Sequence, residues 1–111
     1  MATITPTNIN GVIMWGPFSN ADTILEARVP PGTYNLQAYG TWGGGSVSLL
    51  HSLTTGPTVA QTLDGSTWAP TADTPVLNFG PVAEGFAKPS CSGTITAVTV
   101  LLKPSSTPEQ V

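Results

Sequence analysis

In residues 33–39, TYNLQAY, apolar and polar side chains alternate with a period of two. Tyr34, Leu36 and Ala38 fall on one face, which is the pattern of a strand with one buried side. The preceding residues 29–32, VPPG, form a turn signal, because proline fixes φ and glycine tolerates a positive φ. The sequence therefore predicts a β-strand that follows a turn.

The same alternation appears on both sides of this strand. Residues 22–29 place Leu25, Ala27 and Val29 on one face, and residues 46–53, SVSLLHSL, alternate again. A glycine-rich segment connects the central strand to residues 46–53. We expect these two strands to form a β-hairpin.

Further strands are predicted about every 8–12 residues, a spacing typical of sandwiches and barrels. They are residues 58–63, closed by the turn dipeptide Asp64-Gly65, residues 75–79 at a sheet edge, a brief strand near Phe86, and the apolar, β-branched run 93–102 in a central position. Helical periodicity is not visible between them. The sequence predicts an all-β protein, a single antiparallel β-sandwich or barrel-like domain of about 7–8 short strands.

The length of 111 residues is enough for one modest core. We expect an N-terminal arm over residues 1–9, the β domain over residues 10–103 and a flexible C-terminal tail over residues 104–111. The arm is either extended or a first strand. Because both ends are polar, we expect them to become ordered only against a partner, for example by adding a strand to a sheet edge.

Charged residues are scarce, with three Lys and Arg and six Asp and Glu. Arg28, Lys88 and Lys103 are too few to neutralise a run of phosphates or to attract an anionic lipid surface. No apolar stretch approaches the roughly 20 residues that span a bilayer, and the N-terminus carries no export signal. The sequence therefore predicts a soluble protein made in the cytoplasm, with neither nucleic acid nor membrane as a direct partner.

The candidates for chemistry are few. His51 is the only histidine and lies in line with Val47, Leu49 and Leu53, so we expect a structural role for it. Cys91 is the only cysteine, which excludes an internal disulfide and predicts a small buried side chain. The acidic residues lack a calcium-loop spacing. We expect no enzyme activity, no metal and no cofactor.

Three tryptophans allow an alternative. Trp15, Trp42 and Trp68 could stack on sugars if they were exposed and coplanar, but large aromatic residues in a small domain more often serve as core or interface anchors. Exposed tryptophans would favour a carbohydrate-binding module. Buried ones would favour a structural role.

Three stretches resemble small virion proteins of tailed bacteriophages: residues 32–34 (GTY), 40–49 (GTWGGGSVSL) and 64–68 (DGSTW). The closing residues 93–100 are similar to the last strand of those proteins. The resemblance implies a capsid decoration or cement protein, a homotrimer on the capsid surface of the virion that bridges neighbouring subunits of the major capsid protein. The alternative is a carbohydrate- or receptor-binding β-module of a head or tail fibre.

The residues predicted to contact a partner come from the N-terminal third of the chain. Ile4 and Pro6 lie on the arm, and Trp15 and Phe18 are aromatic residues that we expect to be exposed.

Overall fold

The computed structural model describes residues 2–57, 62–63 and 66–104, and within them all regular structure is β. The expectation of an all-β chain is confirmed for this part. The expected number of strands is too low, because six of the strands are only two or three residues long. The strands are β1 (Thr3–Ile4), β2 (Thr7–Ile9), β3 (Val12–Phe18), β4 (Thr23–Ile24), β5 (Ala27–Val29), β6 (Gly32–Trp42), β7 (Ser46–Ser52), β8 (Thr62–Leu63), β9 (Ser66–Thr67), β10 (Leu77–Val82), β11 (Gly85–Ser92) and β12 (Ile95–Pro104).

The largest sheet has five antiparallel strands in the order β10-β6-β12-β3-β2. β12 lies in its centre, as the apolar run 93–102 predicts. β10 lies at one edge, as its preceding proline predicts.

The second sheet has three antiparallel strands in the order β5-β11-β7. The brief strand expected near Phe86 is the eight-residue central strand of this sheet. It accommodates Pro89 because β5 pairs only as far as Ala87, so the missing N–H interrupts no ladder on that side.

The predicted hairpin of residues 33–39 with residues 46–53 is wrong, because β6 and β7 belong to different sheets. The intervening glycines carry the chain between the sheets. A Cβ on Gly45 would lie 2.4 Å from the carbonyl oxygen of Ser92, and one on Gly43 would lie 2.9 Å from the carbonyl oxygen of Thr94. Glycine is needed here for close approach of two backbones and not for a hairpin turn.

The predicted strand over residues 22–29 is divided in two. β4 pairs in parallel with β1, whereas β5 pairs with β11 in the three-stranded sheet. The break at Leu25 leaves its carbonyl oxygen free of a ladder, and the indole Nε1 of buried Trp15 donates a hydrogen bond to it at 2.9 Å. The Leu25 side chain is 42% exposed, so it does not share the buried face predicted for it.

The N-terminal arm is integrated into the domain. β1 pairs with β4, and β2 pairs with β3 through the turn at Asn10 and Gly11, both of which have a positive φ. The expectation that this arm is ordered only by a partner is therefore wrong, since strands of the same chain hold residues 3–4 and 7–9.

Two predictions fall partly outside the described residues. The C-terminal tail begins at Pro104, which ends β12, and residues 105–111 are not described. The predicted turn at residues 64–65 and most of the predicted strand 58–63 also lie outside the described residues, whereas β8 and β9 pair in antiparallel register.

A single core cluster draws side chains from both sheets. The predicted buried face of β6 is confirmed, with Tyr34, Leu36 and Ala38 at most 4% exposed. Trp15 and Phe18 are 0% and 1% exposed, so the expectation that they form an exposed interface is wrong. Trp15 points inward because it falls on the same side of β3 as buried Ile13. Phe18 lies out of that alternation and is buried opposite Val98, beyond the register shift between Val98 and Val100. The remaining members are Val29, Val47, Leu49, Trp68, Phe79, Ala87, Ile95, Val98, Val100 and Leu102.

Candidate functional site

The four predicted interface residues do not form one surface. Ile4 is partly buried and packs against the core, and Pro6 is also partly buried. Trp15 and Phe18 lie within the core itself. The candidate site therefore lies on other residues.

His51 lies at the end of β7 among apolar neighbours. Its ring meets Phe79 edge to face with centroids 6.3 Å apart, and its Nε2 has no hydrogen-bond partner among the described residues. Burial lowers the pKa of this histidine. No described hydroxyl, thiol or carboxylate makes the hydrogen bond to its Nε2 that a catalytic triad needs. Leu53, predicted to share its face, is 68% exposed.

Cys91 is half-buried and packs against the core. It lines a shallow pocket of about 210 Å³ together with Asn20, Asp22, Ile24, Lys88, Pro89 and Ser90. Burial, with a smaller effect of the Asp22 charge, raises the pKa of the thiol. A thiol with a raised pKa is a poor nucleophile at neutral pH, so this pocket is not arranged for cysteine chemistry.

The tryptophans do not form an exposed platform. Trp15 and Trp68 are buried, and only Trp42 is partly accessible. The indole Nε1 of Trp42 donates a hydrogen bond to the carboxylate of Asp73 at 2.9 Å. Sugar stacking on a row of three indoles is thus excluded by their positions.

The described acidic residues have structural partners. Asp22 accepts from the backbone of Ser19 and Ala2, Glu26 from the backbone of Gly56, Asp73 from Trp42 and Gly40, and Glu84 pairs with Arg28. Within residues 2–57, 62–63 and 66–104, no three His, Cys, Asp or Glu side chains are placed to hold a metal ion.

The outer face of the five-stranded sheet is the candidate binding surface. Residues alternating with the core positions point away from the core, and strand pairing places them in rows. One row joins Met14, Leu101 and Gln37, and another joins Lys103, Asn35 and Asn78. We use the term outer face for these residues with Thr7, Ile9, Val12, Tyr39 and Val76.

A groove of about 270 Å³ lies on the outer face. It is lined by Val12, Asn35, Gln37, Val76, Leu101 and Lys103. Three of these side chains are aliphatic, two are amides and one is a cation, so the groove combines apolar contact with a few directed polar groups. Val76 is 57% exposed, and Ile9 on the neighbouring edge strand is 67% exposed.

The Val76 side of the groove is fixed by hydrogen bonds to β6. The backbone N–H of Thr74 donates to the carbonyl oxygen of Ala38 at 2.9 Å, and the N–H of Ala38 donates to the hydroxyl of Thr74 at 3.0 Å. The carboxylate of Asp73 accepts from the N–H of Gly40 and from the Trp42 indole. These two hydrogen bonds, that from Trp42 first, lower the pKa of Asp73.

The three-stranded sheet has a different outer surface, which we call the serine face. Serines pair across its two longer strands, Ser46 with Ser92 and Ser48 with Ser90. The other two pairs are Leu50 with Lys88 and Ser52 with Phe86. Hydroxyls dominate this surface, which suits contact with water.

Three of the four edge strands of the two main sheets, β2, β5 and β10, are poor sites for strand addition. Proline lacks a backbone N–H and so interrupts an edge that could pair with another chain. Pro6 precedes β2, Pro30 follows β5, and Pro81 lies within β10. Contact with a partner is therefore better supported on a face than at these three edges.

Sequence reasoning missed the outer face, although a signal for it exists. Residues 12–15, VIMW, and residues 100–102, VLL, are apolar at every position, whereas residues 33–39 alternate. Continuous apolar strands are expected where both sides of a sheet are covered. In this sheet only one side faces the core, so Val12, Met14 and Leu101 remain on the other.

A scan of protein-family models, a search of curated proteins and a search of solved structures each found no match to this chain. Separately, none of the described residues belongs to a helix long and apolar enough to cross a membrane.

Proposed function

We propose that this chain is a structural protein that binds another protein through the outer face of its five-stranded sheet. The observation that carries the proposal is the apolar groove there, on a chain whose tryptophans serve mainly as core. An apolar surface rimmed by polar groups is typical of protein–protein interfaces. The pocket that includes Lys88 and Ser90 of the serine face is lined mainly by polar side chains.

In its specific form, the proposal is that the protein decorates the capsid of a tailed phage. It would bridge neighbouring subunits of the major capsid protein, with the two main sheets packed as a β-sandwich and three copies forming a homotrimer. The supports are the resemblance at residues 32–34, 40–49 and 64–68 and the scarcity of charge. The core cluster that both sheets share supports the sandwich.

The test combines native mass and binding. Light scattering of the purified chain should give three times the mass of one copy, and the chain should co-sediment with phage heads that lack it. Binding to a glycan array with no binding to heads would contradict the proposal and favour the carbohydrate-recognition alternative. A monomer that binds heads would support the decorating role and contradict the proposed homotrimer.

A further inference from the structure

The polar and charged side chains of the groove on the outer face indicate the chemistry of the partner that fits it. Lys103 is its only charged residue and has no ion pair among the described residues. Asn35 makes no side-chain hydrogen bond within the described part of the chain, so its amide can both donate and accept. The amide of Gln37 makes one long bond of 3.5 Å, to the carbonyl oxygen of Thr74.

We propose that this groove takes an extended segment of a partner protein, with an aliphatic side chain seated between Val12, Val76 and Leu101 and a carboxylate on Lys103. Amide side chains suit an extended segment because they can pair with both its N–H and its C=O groups. The volume of about 270 Å³ suits one or two side chains and lies below the range of drug-sized ligand pockets.

A second copy of the chain fits the groove less well. Face-to-face pairing about a two-fold axis would bring the same patch of each copy together, and with it two Lys103 ammonium groups. None of the four described carboxylates, Asp22, Glu26, Asp73 and Glu84, lines the groove, and each already has a partner elsewhere. Charge complementarity therefore favours an acidic group on a different protein.

The inference rests on the proposed function, because it names the chemistry of the partner segment. Its test uses the full chain and two synthetic pentapeptides, acetyl-Thr-Leu-Thr-Asp-Thr-amide and the analogue with Asn in place of Asp. Each is titrated into the ¹⁵N-labelled protein while backbone amide shifts are followed. We expect shifts confined to the groove residues and their strand neighbours, with the Asp peptide bound about two- to fivefold more tightly.

Two variants give the controls. Lys103→Gln should bind both peptides equally, whereas Lys88→Gln, which removes a cation from the serine face, should keep the preference for the Asp peptide. Unchanged amide spectra of the free variants confirm that both are folded. The inference would be overturned if the parent chain bound the two peptides equally or if the preference for the Asp peptide survived Lys103→Gln. It would also be overturned if the amide shifts lay outside the groove or were absent at millimolar peptide.

Co-sedimentation with phage heads distinguishes a failure of the groove assignment from a failure of the decorating role. If the chain co-sediments with heads but neither peptide shifts the groove, the groove assignment fails alone. If the peptides bind as expected but heads are not bound, the decorating role fails alone. Self-association that Lys103→Gln strengthens and that blocks both peptides would identify a second copy as the occupant and overturn the inference.

Discussion

The outer surfaces of the two main sheets differ although both sheets share one core. The outer face of the five-stranded sheet carries Val12, Met14 and Leu101 beside amides and Lys103, whereas the serine face pairs hydroxyls across β7 and β11. Both inner faces contribute apolar side chains to one core, and His51 of β7 lies against the core residue Phe79. The outer face thus carries more apolar side chains than the serine face, which has only Leu50 and Phe86 among its described pairs, and the outer face is the candidate for binding.

The first prediction compares the two inner faces and has the greatest expected loss of stability. Trp15 of the five-stranded sheet and Leu49 of the three-stranded sheet are both 0% exposed. Trp15→Ala should cost about 3–5 kcal/mol and Leu49→Ala about 2–5 kcal/mol in free energy of unfolding, measured by urea denaturation. A cost below about 1 kcal/mol for either would mean that the sheets do not share a continuous core.

The second prediction concerns the two outer surfaces. Val76→Asp should weaken binding to phage heads about thirtyfold or more, because it places a buried charge in the proposed interface. Leu53→Asp places the same charge at a similarly exposed apolar residue, which follows β7 and lies outside the outer face, and should alter binding by less than about twofold. The measurement is co-sedimentation over a range of concentrations. Equal losses for both variants would remove the distinction between the two surfaces.

The third prediction concerns the difference between two glycines in the backbone packing of the five-stranded sheet. Gly40 and Gly32 have nearly the same φ, 142° and 145°, but a Cβ would meet the carbonyl oxygen of Ala97 at 2.2 Å only at Gly40, while Gly32 has open space. Gly32→Ala should cost about 1–2 kcal/mol from the positive φ alone. Gly40→Ala should cost about 1–3 kcal/mol more, because the backbones of β6 and β12 must separate. If the two variants unfold at the same urea concentration, the close approach is unimportant.

The smallest effect is the pH dependence that Asp73 confers on the Val76 side of the groove. Its hydrogen bonds lower its pKa in the folded chain below the usual value near 3.9. This stabilisation is present above the unfolded-state pKa and is lost as the pH falls through the folded-state pKa. Asp73→Asn should therefore be less stable than the parent chain at pH 7, with a difference that disappears in strong acid. A constant difference over the whole pH range would contradict this role.

Much of the strand content follows from the sequence, whereas strand pairing does not. Alternation identifies the buried face of β6, and a continuous apolar run identifies the central position of β12. Local pattern cannot show which strands pair, so residues 40–45 look like a hairpin turn when they form a crossing between sheets. The glycines there serve a contact with residues 92–94, which are distant in the sequence.

The candidate site was less predictable for a related reason. An aromatic residue in an apolar run does not reveal which way it points, and Trp15 and Phe18 point inward with Ile13. The groove joins residues from β3, β6, β12 and the segment before β10, so it exists only once the order of the strands is known. The ion pair of Arg28 with Glu84 could not be predicted from the sequence either, because the two residues are 56 positions apart.

The most direct test of the central claim is hydroxyl-radical footprinting of the chain free and bound to phage heads. The outer face contains the oxidisable side chains Met14, Tyr39 and Leu101, and the serine face contains Leu50 and Phe86. We predict that binding protects the first three from oxidation and leaves the last two unchanged. Protection of Leu50 and Phe86 with continued oxidation of Met14, Tyr39 and Leu101 would show that the serine face binds the partner and would contradict the account.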